Sequence, residues 1–235
     1  MSCVDPKLRK KWKEIQERHV KFRKLVIDGK EVEYQDWSKN FLNFCEINGI
    51  VLDIGCGPFA TVFHQEINEK CERYIGLDPE LSFIRSTPPK IIYVRGIGEA
   101  LPFKSEVFDC VIMKAVLDHA FDPAMMLHEA FRVLKTGGKL WLGEGFQDKH
   151  PILKAKRFVK ILLAFGLKKA LYAMLEFLRA QVFLKKIFKY QTGHMRQLTK
   201  NDILKLIKQA GFYIEKITEH SGGRAILYCL GKKLT

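Results

Sequence analysis

Val51-Leu-Asp-Ile-Gly-Cys-Gly-Pro58 ends an apolar run in a carboxylate, Asp53, and then turns through two glycines, Gly55 and Gly57. A buried strand that stops at an acid and turns sharply makes a concave backbone floor at the start of the next helix. An aspartate closing an apolar strand is costly unless something bonds it, either backbone amides of the turn or a ligand cation. Ile75-Gly-Leu-Asp78 follows as a second short apolar strand ending in an acid. That spacing suits a carboxylate that holds ribose hydroxyls, so the pair points to an adenosine-bearing ligand.

Outward from this turn, strand and helix alternate. The patterning predicts strands at 50–54, 74–77, 91–94, 108–113 and 138–143. It predicts helices at 59–68, 80–85 and 122–134, the last stopping before the Thr136-Gly-Gly138 stretch. Before the turn, residues 6–26 read as a basic helix. Residues 37–45 read as another, with Asp36 as N-cap and Phe41, Leu42 and Phe44 on its apolar side. After residue 195, an amphipathic helix over 200–212 is expected, capped by Thr199 or Asn201 and stopped by Gly211. Ile214–Thr218 and Ala225–Leu230 then flank a Ser221-Gly-Gly223 turn as a β-hairpin. Such alternation implies a parallel sheet covered on both faces, with ligands beyond the carboxyl ends of its strands. Asp53, Asp78, Glu99 and His119 all fall at or just after such ends.

The 235 residues suit one domain with a sizeable core. The six cysteines are scattered, without a CxxC pair, and no secretory signal is evident. This leads us to expect a reduced, cytoplasmic setting with neither a disulfide framework nor a metal site. No run of eighteen uncharged apolar residues is present, so no membrane span is expected. The net charge of +14 is unevenly spread. Residues 31–148 carry eighteen acids against eleven bases, whereas residues 149–200 carry thirteen bases against one acid, Glu176. Two regions of opposite electrostatic character suggest two jobs.

Five segments taken together resemble the class I S-adenosylmethionine-dependent methyltransferases, in particular their small-molecule, type 11 branch. They are Val51-Leu-Asp-Ile-Gly-Cys-Gly57, Tyr74-Ile-Gly-Leu-Asp78, Gly98-Glu-Ala-Leu-Pro-Phe103, Phe108-Asp-Cys-Val-Ile112 and His128-Glu-Ala-Phe-Arg-Val-Leu-Lys-Thr-Gly-Gly-Lys-Leu140. The resemblance spans roughly residues 51–145. It implies an α/β, Rossmann-like methyltransferase fold with a mostly parallel seven-stranded sheet and a C-terminal β-hairpin, to which the helical material of the basic block is expected to add a lid insertion. The expected layout is N-terminal helices over 1–48, a cofactor-binding core over 49–148, the basic lid over 149–195, and a C-terminal helix and hairpin over 196–235.

By resemblance, Asp53, Gly55, Cys56 and Gly57 would cradle the methionine end of S-adenosyl-L-methionine. Asp78, with Pro79 beside it, would hold the ribose hydroxyls. Gly98 and Glu99 would border the adenine, and Ala115 would line the methionine side. Methyl transfer needs positioning above all, and an acceptor hydroxyl also benefits from a base. His119, in Leu117-Asp-His119, is the first candidate for that base, with Asp118 to orient it. His194, in Gly193-His-Met-Arg-Gln-Leu-Thr199, is the second, and Glu144 is a third candidate acid.

The chain departs from the family pattern twice. Phe59 stands where a third glycine is usual, and Ile97 stands where an adenine-reading acid is often found. These departures keep open a non-catalytic cofactor-binding module. Gly55-x-Gly57-x-x-Ala60 with Asp78 also fits a dinucleotide fingerprint, which would imply an NAD-linked oxidoreductase. Residues 151–192, rich in Phe, Leu and Lys, lie outside the resemblance. A basic helix with large apolar residues suits a hydrophobic or lipid-like small-molecule acceptor and peripheral contact with an anionic membrane. A phosphate-backbone surface, and hence RNA methylation, is the competing reading of the same charge.

Overall fold

The computed structural model describes residues 7, 10–17, 32–58, 63–82, 84, 89–145, 195–196, 198–220 and 225–232. The chain divides into two compact units, Met1–Phe146 with His194–Thr235, and Gln147–Gly193. The second unit lies outside the described residues, as does the expected lid apart from Met195. The Ser221-Gly-Gly223 turn and Phe59 also lie outside them.

Seven strands form one sheet: β1 Ile50–Ile54, β2 Arg73–Asp78, β3 Ile91–Arg95, β4 Phe108–Lys114, β5 Leu134–Gly145, β6 Tyr213–His220 and β7 Ala225–Gly231. Their order is β3-β2-β1-β4-β5-β7-β6. The first five pair in parallel, and β7 runs antiparallel between β5 and β6. The order reverses at β1, so the chain leaves β1 and β4 in opposite directions and opens a crevice at their carboxyl ends.

Register sorts the side chains. Val51 lies opposite Tyr74 and Cys110, and Asp53 opposite Gly76 and Ile112. Residues alternate between faces along a strand, so Val51, Tyr74, Cys110, Ile112 and Trp141 share one face. They pack with Phe41 and Leu42 of α2 (Val32–Phe44) and with Ile67 of α3 (His64–Lys70). Phe44 meets Trp141 edge-on, with ring centroids 5.4 Å apart. Leu52, Ile54, Leu77, Val111, Met113, Leu140 and Leu142 line the opposite face. There they meet Met126, Leu127 and Ala130 of α4 (Pro123–Val133) and Ile203 and Ile207 of α5 (Lys200–Gln209). Each such aliphatic side chain, when fully buried, contributes about 1.5–3 kcal/mol. Residues 10–17 are helical and make up α1, whose Ile15 is buried.

Two helix ends follow the expected chemistry. Asp122 caps α4, its Oδ1 accepting from the Ala124 and Met125 N–H groups. Thr199 and Asp202 form a reciprocal capping box on α5, and Gly211 stops that helix at φ +88°.

Three expectations need correction. The helix expected at 80–85 is not present among the residues described there, Glu80, Leu81, Ser82 and Ile84. Asp78 Oδ1 accepts from Glu80 N, and Glu80 Oε1 accepts from Ser82 N, so side chains take the amides that a helical turn would use. The α4 helix does not end on a glycine cap. Its C-cap is Leu134 in an extended conformation, and the chain passes straight into β5. The α2 helix begins at Val32, so Asp36 stands within it and is not its N-cap.

Two of the quoted sequence segments turn out to hold each other. Arg132 grips Glu129 through Nε and Nη2, at 2.6 and 2.7 Å, and donates to the carbonyls of Phe103 and Leu101. Glu129 in turn accepts from Leu101 N at 2.9 Å. Helix α4 is thereby tied to the 101–103 loop, and that loop is held against the sheet.

Candidate active site at the carboxyl edge of the sheet

Asp53 and Asp78 lie on the same face of neighbouring strands. Asp53 stands opposite Gly76, and Asp78 is two residues further along β2. Both are buried. Between them the backbone turns at Gly55 and Gly57, with φ of +72° and +46°. The Gly55 and Cys56 N–H groups donate to Leu77 O at 2.7 and 3.2 Å, and Gly57 N donates to Asp78 Oδ2 at 3.1 Å. The turn is therefore tied to β2 through its own amides. A Cβ at Gly55 would lie 2.4 Å from Val116 Cγ2, and one at Gly76 would lie 2.9 Å from Cys56 Sγ. Glycine is needed at both places for close approach, and at Gly55 also for its left-handed backbone.

The Tyr74 hydroxyl donates to Asp53 Oδ2. Burial pushes the Asp53 carboxyl up to about 7, against the pull of that hydrogen bond and of the Lys114 charge. Lys114, at the end of β4, is buried, and its ammonium lies over the Trp37 ring of α2, 4.6 Å from the centroid. Burial brings it down to about 7, opposed by the charges of Asp53 and Glu144. Ala115, next in the chain, has φ +51°, a left-handed conformation that a residue with a Cβ adopts only at a cost. Its N–H donates to Gly143 O at 2.7 Å, which holds it there.

Glu99 is buried, and its Oε1 accepts from Phe121 N at 2.6 Å and Asp122 N at 3.4 Å. Burial raises this carboxyl, while the two amides oppose the shift. Its observed work is to fasten the loop before α4. Gly98 is buried against Met126 and Ile54. Ile97 forms an isolated bridge with Ala100. Pro79 follows Asp78 directly, and its carbonyl accepts from Arg95 Nη1 at 3.4 Å.

Leu117–His119 is a short 3₁₀ turn. His119 Nε2 lies 3.5 Å from Asp118 Oδ1, and both side chains are mostly buried. Arg196 N donates to Asp118 O at 3.0 Å, and Arg196 Nη2 donates to Phe121 O at 2.6 Å. Lys11 of α1 donates to Met195 O, and Trp12 stacks on Phe121 at 5.1 Å. The late segment and the N-terminal helix thus both close on the turn that carries His119. His194 itself lies outside the described residues.

Sequence reasoning does not reach Tyr74, Lys114 or Trp37. Tyr74 could be found only through the β1–β2 register. Lys114 carried a signal that was present and passed over, a charged residue closing an apolar strand as Asp53 does. Among the described residues, no cluster of three His, Cys, Asp or Glu side chains could hold a metal ion. Among those residues, no helix is long and apolar enough to cross a membrane.

Residues 52–142 match the family model of a methyltransferase domain. An uncharacterised protein of Methanocaldococcus jannaschii is 33% identical over 144 residues, which are 51% of this chain and 64% of that protein. The mitochondrial 2-methoxy-6-polyprenyl-1,4-benzoquinol methylase of Dictyostelium discoideum is 34% identical over 98 residues, 40% of this chain and 30% of that one. The chain therefore spans less than two thirds of the length of either relative. Among solved structures, a SAM-dependent methyltransferase of Aquifex aeolicus superposes with a TM-score of 0.59 at 14% identity. The match covers 89% of this chain and 96% of that one, and it shows a shared fold.

Proposed function

We propose that the chain is a class I S-adenosylmethionine-dependent methyltransferase, as the match of residues 52–142 to a methyltransferase-domain model supports, and that it transfers a methyl group from S-adenosylmethionine to a small, apolar or lipid-like acceptor. The observation that carries this reading is the shared face of Asp53 and Asp78 with the Gly55–Gly57 turn between them.

The residues present suit the cofactor. Each Asp78 oxygen already accepts one backbone N–H, from Gly57 and from Glu80. These bonds fix the carboxylate at the end of β2, and an ionised carboxylate is an acceptor suited to ribose hydroxyls. Asp53 is a buried acid whose ionised form a nearby cation would favour. The methionine end of the cofactor carries both a sulfonium and an ammonium. Gly55, Cys56 and Gly57 offer a floor without bulk, and the backbone at Ala115 is fixed against Gly143. When bound, the cofactor supplies an electrophilic methyl group.

The chain's own residues have the task of alignment. Holding the reactants in register can supply on the order of 7–11 kcal/mol. His119, with Asp118 beside it, is the candidate base for an acceptor hydroxyl, a role worth roughly 10²–10⁴-fold. The quinol methylase among the relatives supports a lipid-like acceptor. The basic and apolar composition of residues 149–195 supports uptake of such an acceptor from an anionic membrane surface.

Calorimetry with S-adenosylhomocysteine tests the cofactor, and a titration with no heat overturns it. Radiolabelled S-adenosylmethionine with a short-chain prenylated hydroquinone tests the acceptor class. Label in the organic extract supports the reading, whereas label in added tRNA alone replaces it with RNA methylation. Vesicle co-sedimentation tests the membrane contact. Preferential, salt-sensitive recovery with anionic lipid supports it, and equal recovery with neutral lipid removes it.

A further inference from the structure

Glu144 is fully buried near the end of β5. Its Oε1 accepts from Val116 N and Leu117 N, both at 2.9 Å, and so holds the start of the turn that carries Asp118 and His119. Its Oε2 is buried and has no hydrogen-bond partner among the described residues. On β7, Tyr228 lies opposite Leu142, which places it two residues from Glu144 on the same face. Tyr228 is fully buried too, and its hydroxyl likewise has no hydrogen-bond partner among those residues. Cross-strand diagonal neighbours of this kind stand roughly 7–8 Å apart, within reach of long side chains. Buried polar atoms are nearly always satisfied, and two orphans on one face of adjacent strands mark a single place that calls for a partner.

The protonation states define that partner. Burial and the Asp118 charge hold the Glu144 carboxyl well above the usual carboxylate range. Because Oε1 accepts two amides, Oε2 is the oxygen that carries the proton when the carboxyl is neutral, and it is then a donor. Burial pushes the Tyr228 hydroxyl up to about 12, so it keeps its proton. With that proton in place, two O–H groups on one face of adjacent strands suit a neutral oxygen with two lone pairs.

We propose that Glu144 Oε2 and the Tyr228 hydroxyl form a polar subsite behind the His119 turn, one that takes the oxygen of a single hydroxyl group. That oxygen belongs to an internal water or to the acceptor, and the second source rests on the methyltransferase reading given above.

Equilibrium unfolding and ligand binding separate the two sources. The variants are Tyr228→Phe, Glu144→Gln and their double; glutamine keeps an acceptor for Val116 and Leu117. With an internal water, Tyr228→Phe raises the unfolding constant about tenfold. The two substitutions then combine non-additively, by about fivefold. With an acceptor hydroxyl, Tyr228→Phe leaves the unfolding constant unchanged or lowers it. It then weakens binding of a short-chain prenylated hydroquinone about tenfold in protein saturated with S-adenosylhomocysteine. If the unfolding constant does not rise and probe affinity does not move, the subsite is overturned. Failure of the wild-type chain to bind S-adenosylhomocysteine would overturn the methyltransferase reading, while the unfolding measurements would still decide the subsite.

Discussion

Gly57 donates its backbone N–H to Asp78 Oδ2 across 3.1 Å, joining the turn after β1 to the end of β2. One carboxylate thus shapes the turn and, on the proposed reading, also takes the ribose. Asp78→Ala removes the acceptor for Gly57 and Glu80 as well as for the ribose. Hydrogen bonds to a charged group are worth about 1.5–3 kcal/mol each. Calorimetry is expected to show S-adenosylhomocysteine affinity falling at least about tenfold. Asp78→Asn, which keeps one acceptor oxygen, is expected to fall between the variant and the wild type. Equal affinities across the three proteins would show that Asp78 does not touch the ligand.

Lys114 and Asp53 pull stability in opposite directions with pH. Burial raises the Asp53 carboxyl from 3.8 to about 7 in the folded chain. Between those values the folded state holds a proton that the unfolded state has released, so stability falls as pH rises. Lys114 is lowered from 10.5 to about 7. Between those values the unfolded state holds the extra proton, so stability rises with pH. The two contributions together leave a minimum near neutrality. Lys114→Met is expected to remove the rising limb, which is worth up to about 1.4 kcal/mol per pH unit. Urea unfolding at pH 6, 7, 8 and 9 reads the difference, and parallel curves for the two proteins would refute it.

Much of the sheet was legible because its strands are near-continuous apolar runs, and five parallel strands in sequence leave few topologies. The acids at the ends of β1 and β2 were legible for the same reason, since a charge closing an apolar run stands out. Partnership was not legible. Tyr74 reaches Asp53 only because β1 and β2 pair in one register. The Glu99 carboxylate accepts from Phe121 N and Asp122 N, a contact of which sequence spacing carries no sign. The non-helical backbone at Glu80–Ser82 has a local cause, since the Asp78 and Glu80 carboxylates take the Glu80 and Ser82 amides.

Ala115 is held at φ +51° by its hydrogen bond to Gly143. A left-handed residue with a Cβ costs about 1–2 kcal/mol, and glycine escapes that cost. Glycine also loses more entropy on folding, by about 0.5–1 kcal/mol relative to alanine. Ala115→Gly is therefore expected to stabilise the chain by up to about 1 kcal/mol. For a chain of this size that raises the melting temperature by roughly 2–4 °C. Calorimetric melting reads it, and a fall in melting temperature would mean that the Ala115 methyl makes contacts outweighing its strain.

Tyr74 donates to Asp53 inside the face that packs under α2. The bond favours the ionised carboxylate, so its worth depends on protonation. Above pH 7 Asp53 is mostly ionised, and Tyr74→Phe strips a donor from a buried charge, at a cost of about 1.5–3 kcal/mol. Below pH 6 the carboxyl is mostly protonated and can donate elsewhere, so the same substitution costs less. Without Tyr74 the Asp53 carboxyl moves further up, and ionisation begins at higher pH. Denaturant unfolding of Tyr74→Phe against wild type at pH 5.5 and pH 8.5 is expected to give the larger loss at the higher pH. An equal loss at both would place the value of Tyr74 in its ring packing and take the hydroxyl out of the electrostatics of the site.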